Sequence, residues 1–388
     1  MGRDDQEHFN EYTPQNRIKH EILGKYFSAY MRALGRHAQA FHYIDGFAGG
    51  GLYEQRHHGS PLIALTLLAK QTVPCSVSFV ERNPKLFSQL SQAITQHSGT
   101  GGLHDDPFVQ QGKFSDFVEQ ILSRQVYSEF SRVATFAFVD PCGVQGVRMR
   151  DLAAVLSKPY GECLLFWNYD GINRWLGGVH RGTAGRDGLI DLFGDEPTVA
   201  EALRLSSPAN PSPEKERELR DLFIKAVREH SGAQFVLPFR VDARDSDRTS
   251  HYLIHCSGHS LAFKIMKDVM GTATSSEEIG AFEFLREADT AYQLGIFAPN
   301  ADRARTAILK QLDVGNCKVR LFTKDWILRQ HDYFRERDYK QVLLDMEQAG
   351  DIEVLDKNGV QVLPREKRPK RDGKPTLGDD YWLRRKKR

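Results

Sequence analysis

The chain has 388 residues, 40% of them hydrophobic, which is enough for two or three domains and a large buried core and excludes a simply disordered protein. Its 53 Lys and Arg residues nearly balance 51 Asp and Glu residues, so an overall field of one sign is also excluded. The charge is unevenly placed, however. Residues 364–388 contain eleven basic and four acidic residues, a local net charge of +7 that leaves −5 on the rest.

Apolar runs and cysteines limit the class of protein further. No apolar run approaches the ~20 residues that cross a bilayer, and residues 1–10 are charged, so we expect a cytoplasmic protein without a membrane partner. The five cysteines are scattered and include no CxxC pair, and no histidine stands at metal-ligand spacing. We therefore expect neither a disulfide framework nor a metal site.

The first half of the chain predicts an α/β fold. Residues 16–34 place apolar side chains on one helical face, and from residue 41 to 172 short β-branched or aromatic runs alternate with segments of helical period. The runs are hydrophobic almost throughout, as is typical of parallel strands that are buried on both faces. The predicted strands are 41–44, 77–80, 108–110, 135–139 and 163–167. We expect a Rossmann-like sheet with helices on both faces.

The middle of the chain reads as an insertion followed by the end of that sheet. Residues 177–213 are rich in Gly, Pro and Ser, which predicts irregular structure, and 215–230 form a charged amphipathic pattern. Two more strands are predicted at 235–241 and 251–256, and a helix at 260–270. The predicted domain therefore spans residues 14–300, with an irregular insertion at about 177–232.

The last ninety residues change in pattern. Thr323 is a plausible N-cap for a helix over 324–334, a second helix runs to about 349, and strands at 351–356 and 360–363 flank an Asn-Gly turn. Helix, helix and hairpin predict a winged-helix-like module at 301–363, followed by a basic tail at 364–388. The alternative is a helical hairpin and a β-hairpin that pack on the sheet. At helical spacing, Trp326 and Phe334 are expected to be core residues.

A glycine-rich turn follows the first predicted strand. Asp45 ends the strand, and glycines at 46, 49, 50 and 51 follow it. Glycine allows a ligand to approach the backbone closely and permits positive φ. The turn matches neither the GxGxxG fingerprint nor the P-loop, so by itself it is equally a tight strand-to-helix connection.

Polar residues also follow the next three strands. Glu81 closes the second, where a carboxylate can accept hydrogen bonds from both hydroxyls of a ribose, Asp116 follows the third, and Asp140-Pro141 closes the fourth. The carboxyl ends of parallel strands meet at one edge of a sheet, and ligands bind there in open α/β folds. These strand ends together predict a cofactor site.

This ordered series resembles the motifs of class I S-adenosylmethionine-dependent methyltransferases. Residues 14–270 resemble more closely the three-Cys-motif partner protein family, through KHEIL at 19–23, YIDGFAG at 43–49, GSPL at 59–62, FVDP at 138–141 and LFG at 192–194. Members of that family are methyltransferase-like and are encoded beside a protein with three clustered cysteines that resembles radical SAM proteins. The resemblance implies S-adenosylmethionine as cofactor and such a protein as partner.

The resemblance also implies roles for individual residues. Glu81 would hold the ribose of the cofactor, and Asp140 would face the transferred methyl group. Asn168, after the fifth strand, is a further candidate for the catalytic pocket, or else a helix cap. The residues implied at the methionine end are Asp45, Phe47, Gly49 and Gly51, and those near the adenine are Ser115 and Asp116.

The sequence departs from the methyltransferase pattern after Asp140. Enzymes that methylate an exocyclic amine carry an aromatic residue there, which stacks on the flipped base, whereas this chain has Cys142-Gly143. A Pro-Cys pair at this strand end permits a thiolate nucleophile, as in cytosine-C5 methyltransferases. A small buried thiol is the other interpretation of Cys142.

Basic residues near the C-terminus are expected to contact phosphates. They are Arg365, Lys367, Arg368, Lys370, Arg371, Arg384, Arg385 and Lys386. The sequence therefore predicts a methyltransferase that acts on DNA or RNA and works with the three-Cys-motif protein. The alternative is a non-catalytic or weakly catalytic adaptor of that partner, which binds the cofactor or nucleic acid in repair or defence.

Overall fold

The structure is a computed structural model that describes residues 12–54, 56–141, 143, 145–209, 212, 214–242, 249–273, 298–328, 334–371 and 374–386. The chain divides into two units, Met1–Glu283 and Phe284–Arg388. Within the described ranges, no helix is both long and apolar enough to cross a membrane. Cys142, a candidate nucleophile, lies outside the described residues.

A seven-stranded sheet forms the centre of the first unit. Its strands and one small hairpin are β1 Ala40–Asp45, β2 Leu52–Tyr53, β3 His57–His58, β4 Cys75–Glu81, β5 Phe108–Gln111, β6 Val133–Val139, β7 Glu162–Trp167, β8 Phe235–Asp242 and β9 Thr249–Ser257. The strand order is β5-β4-β1-β6-β7-β9-β8. The first five strands in this sheet order are parallel to one another, and β9 is antiparallel to both of its neighbours. This confirms the predicted Rossmann-like sheet.

Helices cover the sheet on both sides. They are α1 Pro14–Leu34, α2 Ser60–Leu68, α3 Pro84–Gln96, α4 Phe114–Leu122, α5 Gln125–Glu129, α6 Met149–Leu156, α7 Tyr169–His180, α8 Asp187–Phe193, α9 Glu196–Leu205, α10 Lys215–Ser231 and α11 Ser260–Ala273. The hydroxyl of Thr13 caps α1 by accepting from the Asn16 amide, and the side-chain oxygen of Asn83 caps α3 by accepting from backbone amides of its first turn. Ile22, Tyr26 and Tyr30 of α1 are fully buried or nearly so, as the apolar face predicted.

The region 177–232 is helical rather than irregular. Asp195 begins α9 because its Oδ1 accepts from the Thr198 amide at 2.8 Å, with Pro197 in the first turn. Phe193 and Val199 are completely buried in the core cluster that also contains Trp167. The Gly and Pro content led to the wrong prediction here, because Gly177 and Gly178 lie within α7 and Gly188 within α8 instead of in irregular segments.

The second unit has its own core and a three-stranded sheet. Its elements are α12 Ala298–Val314, β10 Cys317–Lys318, a π-helical turn Leu321–Asp325, a 3₁₀ turn Trp326–Leu328, α13 Glu336–Gln348, β11 Ile352–Leu355, a 3₁₀ turn Arg365–Lys367, β12 Lys370–Arg371, β13 Lys374–Pro375 and β14 Trp382–Arg385. The sheet order is β10-β14-β11. Trp326 is a core residue, as predicted, and Phe334 packs against the same core.

Two local predictions in this unit differ from the structure. Thr323 does not cap a helix, because it is fully buried in the π-helical turn, where its hydroxyl donates to Asp379 Oδ1 at 2.9 Å. The turn at Gly359 is present, but residues 360–363 form only an isolated bridge, Leu355 to Val362. The strand that pairs with β11 along its length is β14.

The expected basic tail is therefore part of the folded unit. β14 is the middle strand of the sheet, and Leu383 is completely buried in the core. Removing residues 364–388 would remove this strand, so such a truncation tests folding and not only charge.

We expect Leu383→Ala to lower the free energy of unfolding of the second unit by about 2–5 kcal/mol, because the lost methyl groups leave a cavity in a close-packed core. Val360→Ala is the matched control, since Val360 is 71% exposed and its truncation should change stability by less than about 0.5 kcal/mol. The stabilities of both variants are measured by urea unfolding of the full chain, with proteolysis of the second unit as the readout of its unfolding. Equal stability of the two variants would contradict this packing.

Candidate functional site

A cavity of about 690 Å³ opens at the carboxyl edge of the sheet. Residues at or shortly after the ends of four neighbouring strands, β1, β4, β5 and β6, form its wall: Phe47, Glu81, Ser115 and Gly146, to which α8 adds Asp191. Its volume lies in the range of small-molecule and cofactor pockets. Of the four predicted strand-end acids, Glu81 is the one that lines this cavity.

Of the seven predicted cofactor residues, Phe47, Glu81 and Ser115 line this cavity. The other four do not line it. Asp45 is completely buried and its Oδ1 accepts from the Phe47 amide at 3.2 Å. Gly49 binds Glu81 through its amide, and Gly51 accepts a hydrogen bond from the Gly59 amide at 2.8 Å. Asp116 is in the first turn of α4.

Two backbone amides fix the side chain of Glu81 in the cavity wall. Its Oε2 accepts from the Gly49 amide at 2.8 Å, and its Oε1 accepts from the Asn83 amide at 2.6 Å. Gly49 has a φ of +64°, a conformation that side chains other than glycine rarely adopt, so the glycine-rich turn is needed to direct this amide at Glu81. Each carboxylate oxygen retains a second lone pair. Glu81 can thus accept two further hydrogen bonds at fixed positions.

The Asp45 side chain stabilises the turn of residues 45–47. Burial raises the pKa of Asp45 to about 7, and the nearby Asp140 charge acts in the same direction, whereas hydrogen bonds from Ser60 and the Phe47 amide oppose the rise. A buried carboxyl group that caps its own turn holds the backbone of residues 45–47 in place. Its contribution to a ligand site is therefore through the position of Phe47.

The cavity wall carries charges of both signs. Arg82 and Lys113 line it, and so does Asp191. Arg148 also lines the cavity, but its guanidinium is held by Asp151, with Nε to Oδ2 at 2.7 Å, and by the carbonyl of Ser115. Such a wall suits a ligand that is itself both anionic and cationic.

Asp140 forms an ion pair with Lys19, a residue that the sequence did not identify as functional. Lys19 Nζ lies 2.5 Å from Asp140 Oδ2, and the two side chains are only 8% and 17% exposed. The same Nζ lies 4.3 Å from the centre of the Phe166 ring. A lysine on the otherwise apolar face of α1 was the signal that could have identified it, because a buried cation requires a partner.

Four aromatic rings extend from Lys19 toward the β2–β3 hairpin; we call Tyr12, His20, Tyr53 and His57 the aromatic cluster. Tyr12 stacks on His57 at 4.5 Å and on His20 at 5.7 Å, and Tyr53 lies 5.5 Å from His20. Burial, with the Lys19 charge, lowers the pKa of His20 to about 3, so its ring is neutral. Within the described residues His20 Nδ1 has no hydrogen-bond partner.

Asn168 has the role that the alternative interpretation gave it. Its Oδ1 accepts from the Gly171 amide at 2.8 Å and so caps α7. This hydrogen bond holds the side chain at the start of α7, and its amide nitrogen and the second lone pair of its oxygen are left to contact a substrate.

The predicted phosphate-binding residues fall into two groups. Arg368, Arg384 and Arg385 are paired within the second unit, with Glu347, Glu353 and Asp313 respectively, and Arg365 lies 3.4 Å from Glu347. Three lysines are exposed and form no ion pair or hydrogen bond through the side chain with a described residue: Lys367, Lys370 and Lys386. Lys357, which was not among the predicted residues, belongs to this second group, and Arg371 lies in β12.

The chain matches no family model and no curated protein sequence, so the resemblance to the three-Cys-motif partner family stays a prediction. Among solved structures it is similar to protein LPL1258 of Legionella pneumophila, a member of the family described as DUF519 (12% identity, 69% of this chain and 94% of that chain, TM-score 0.42). A putative rRNA methylase from Clostridium thermocellum covers 60% of this chain and 96% of its own (8% identity, TM-score 0.29). An O-methyltransferase from Bacillus cereus, solved with SAH, covers 60% and 80% (12% identity, TM-score 0.28). At these scores the similarities are weak, and the fold assignment rests on the strand order of the sheet itself.

Proposed function

We propose that this protein is an S-adenosylmethionine-dependent methyltransferase that acts on a nucleic acid. The observation that carries the proposal is the position of Glu81, a carboxylate fixed by two backbone amides in the wall of the cavity at the carboxyl edge of a Rossmann-like sheet. A carboxylate at the end of the second strand is the arrangement that binds the vicinal hydroxyls of a ribose. The three-Cys-motif partner enters the proposal through the sequence resemblance alone.

The residues of the cavity fit this cofactor. Glu81 would accept hydrogen bonds from the ribose hydroxyls, and Ser115 would lie near the adenine. The charges of Arg82, Lys113 and Asp191 match a ligand with both a carboxylate and an ammonium group. When bound, S-adenosylmethionine supplies an electrophilic methyl group on its sulfonium.

Asp140 and Lys19 would orient the acceptor. The Asp140 carboxylate follows β6, next to the cavity wall at Gly143–Val147, and Lys19 fixes one of its oxygens. The other oxygen can accept a hydrogen bond from an N–H or O–H group of the acceptor and so hold its lone pair toward the methyl group. The aromatic cluster beside Lys19 offers ring faces to a planar base. Catalysis would then depend mainly on positioning.

The second unit supports nucleic acid as the substrate class. Its element order is helix, strand, helical turns, helix, strand, a long connection and strand, with the last strand in the middle of the sheet. This order supports the proposal that the unit is a winged-helix module that binds nucleic acid. We call residues 356–381, between β11 and β14, the wing. The exposed face of α13 carries Arg337, Gln341 and Asp345 and has no net charge, whereas the wing carries the unpaired Lys357, Lys367 and Lys370. Phosphate contacts would therefore come from the wing.

Cofactor binding is the direct test. In calorimetry of the full chain with S-adenosylmethionine and S-adenosylhomocysteine, we expect Glu81→Gln to weaken both by about 30-fold or more, because hydrogen bonds to a charged group contribute ~2 kcal/mol.

Glu119→Gln is the matched control for that experiment, since Glu119 is exposed on α4 and does not line the cavity. It should bind both ligands as the wild type does. An absence of heat with the wild type at millimolar ligand would refute the methyltransferase proposal, and equal affinity of Glu81→Gln and wild type would remove Glu81 from the site.

A further inference from the structure

A second cavity, of about 260 Å³, lies at the opposite edge of the sheet from the candidate cofactor site. It is formed by the C-terminal half of α1, the first residue of β7 and the start of α11. Since β7 begins at Glu162, this is the amino edge of the parallel strands. The side chains that matter here are Tyr26, Tyr30, Tyr160, Glu162, His37 and His259. We call it the amino-edge cavity.

Glu162 is a buried carboxylate in the wall of this cavity, with 3% of its surface exposed. Two donors converge on its Oε2: the hydroxyl of Tyr26 and His255 Nε2, the latter at 3.0 Å. Burial, with the Glu162 charge, raises the pKa of Tyr26 well above its ordinary value, so the hydroxyl keeps its proton and donates. The lone pairs that remain are those of Oε1.

The charge of Glu162 is not balanced inside the protein. The described residues bring no hydrogen-bond donor to its Oε1 and no Lys or Arg nitrogen within ion-pair distance of the carboxylate. His255 reaches this carboxylate through Nε2, and its Nδ1 has no partner among the described residues. A buried carboxylate without a Lys or Arg partner favours a ligand that supplies a cation.

Aromatic rings form the walls around this carboxylate. Tyr26 and Tyr30 come from α1, and Tyr160 comes from the turn before β7, with its ring 5.8 Å from that of His259. The Tyr30 hydroxyl donates to the Tyr160 carbonyl at 2.8 Å. Tyr160 has a φ of +52°, which is uncommon for a bulky residue and costs of order 1 kcal/mol or more. The strained turn holds the third tyrosine at the cavity.

We propose that the amino-edge cavity binds an alkylammonium group, with the Glu162 carboxylate as its counter-charge and the tyrosine rings around its alkyl portion. Aromatic faces attract cations, and a carboxylate in the same cavity wall adds a hydrogen-bond acceptor for the N–H groups. The volume admits a short chain and not a drug-sized ligand. This site is independent of the proposed methyl transfer.

The test uses n-butylammonium chloride as the probe and n-butanol as its uncharged equivalent, with the full chain at constant ionic strength. We expect saturable millimolar binding of n-butylammonium in calorimetry, with shifts of the methyl NMR signals of Ile265 and Leu34, which line the cavity. n-Butanol should bind at least tenfold more weakly. Glu162→Gln keeps the shape of the side chain and should weaken n-butylammonium at least tenfold.

Two further variants keep the test decisive. Glu129→Gln removes an exposed carboxylate outside the cavity and should bind n-butylammonium as the wild type does. Ala33→Phe fills the cavity from a half-buried position on α1 without touching Glu162, and should abolish binding even if Glu162→Gln does not fold. Unchanged binding by Ala33→Phe, equal binding of n-butanol, or no saturation by the wild type up to about 100 mM would overturn the proposal.

Discussion

Replacing Asp140 with Asn is expected to reduce methyl transfer to DNA or RNA by two to four orders of magnitude, while S-adenosylmethionine affinity changes by less than about threefold. The size follows from the loss of a positioned acceptor for a proton of the nucleophile. Cofactor affinity should survive because Asp140 does not line the cavity that holds Glu81. Single-turnover transfer of a labelled methyl group, together with calorimetry, separates the two effects.

Lys19→Met should lower kcat by about ten- to a hundredfold and leave KM for the cofactor unchanged, because it frees the Asp140 carboxylate from its 2.5 Å ion pair without removing it. Asp187→Asn, an exposed acid at the start of α8, is the control and should be silent. Full transfer by Asp140→Asn would remove Asp140 from the reaction. Cofactor binding by a wild type that transfers no methyl group would favour the adaptor alternative.

The strands of the main sheet were predictable mainly because most of them are buried on both faces; β5, none of whose residues is fully buried, is the exception. Apart from Thr135, the predicted run 135–139 is hydrophobic, and the structure extends it only to Val133–Val139. The helices of the insertion were not predictable in the same way. Their first turns depend on single capping residues such as Asp195, and a cap is a weak signal amid Gly and Pro.

The candidate site was predictable where it depends on strand ends. Glu81 lies in the predicted cavity because the end of a parallel strand fixes its location. Lys19 was missed because its partner is 121 positions away, and helical periodicity does not show which residue a buried cation meets. For the same reason Arg384 was assigned to phosphate: only the register of β11 and β14 places it opposite Glu353.

We expect Lys357, Lys367 and Lys370, changed together to Gln, to weaken nucleic-acid binding by about ten- to a hundredfold at ~0.1 M salt. These lysines are the exposed wing cations that we find without an ion pair, so they are available to displace counterions from phosphates. The slope of log affinity against log salt should become shallower by up to about 3, roughly one for each lost contact. Fluorescence anisotropy with duplex DNA and duplex RNA, at about 50 to 200 mM salt, measures both the affinity of the full chain and the slope.

The matched control is a triple variant of the first unit, which lowers the net charge by the same amount. It changes Lys70, Lys85 and Lys225 to Gln. If affinity depended on net charge alone, the two triple variants would weaken binding equally, and this result would contradict the wing as the contact surface. The arginines of β14 should contribute less to nucleic-acid affinity than the basic composition of residues 364–388 indicates, because Arg384 already pairs with Glu353 and Arg385 with Asp313. A cation that is neutralised within the fold releases few counterions when it meets a phosphate, so the position of the unpaired lysines decides where the nucleic acid binds.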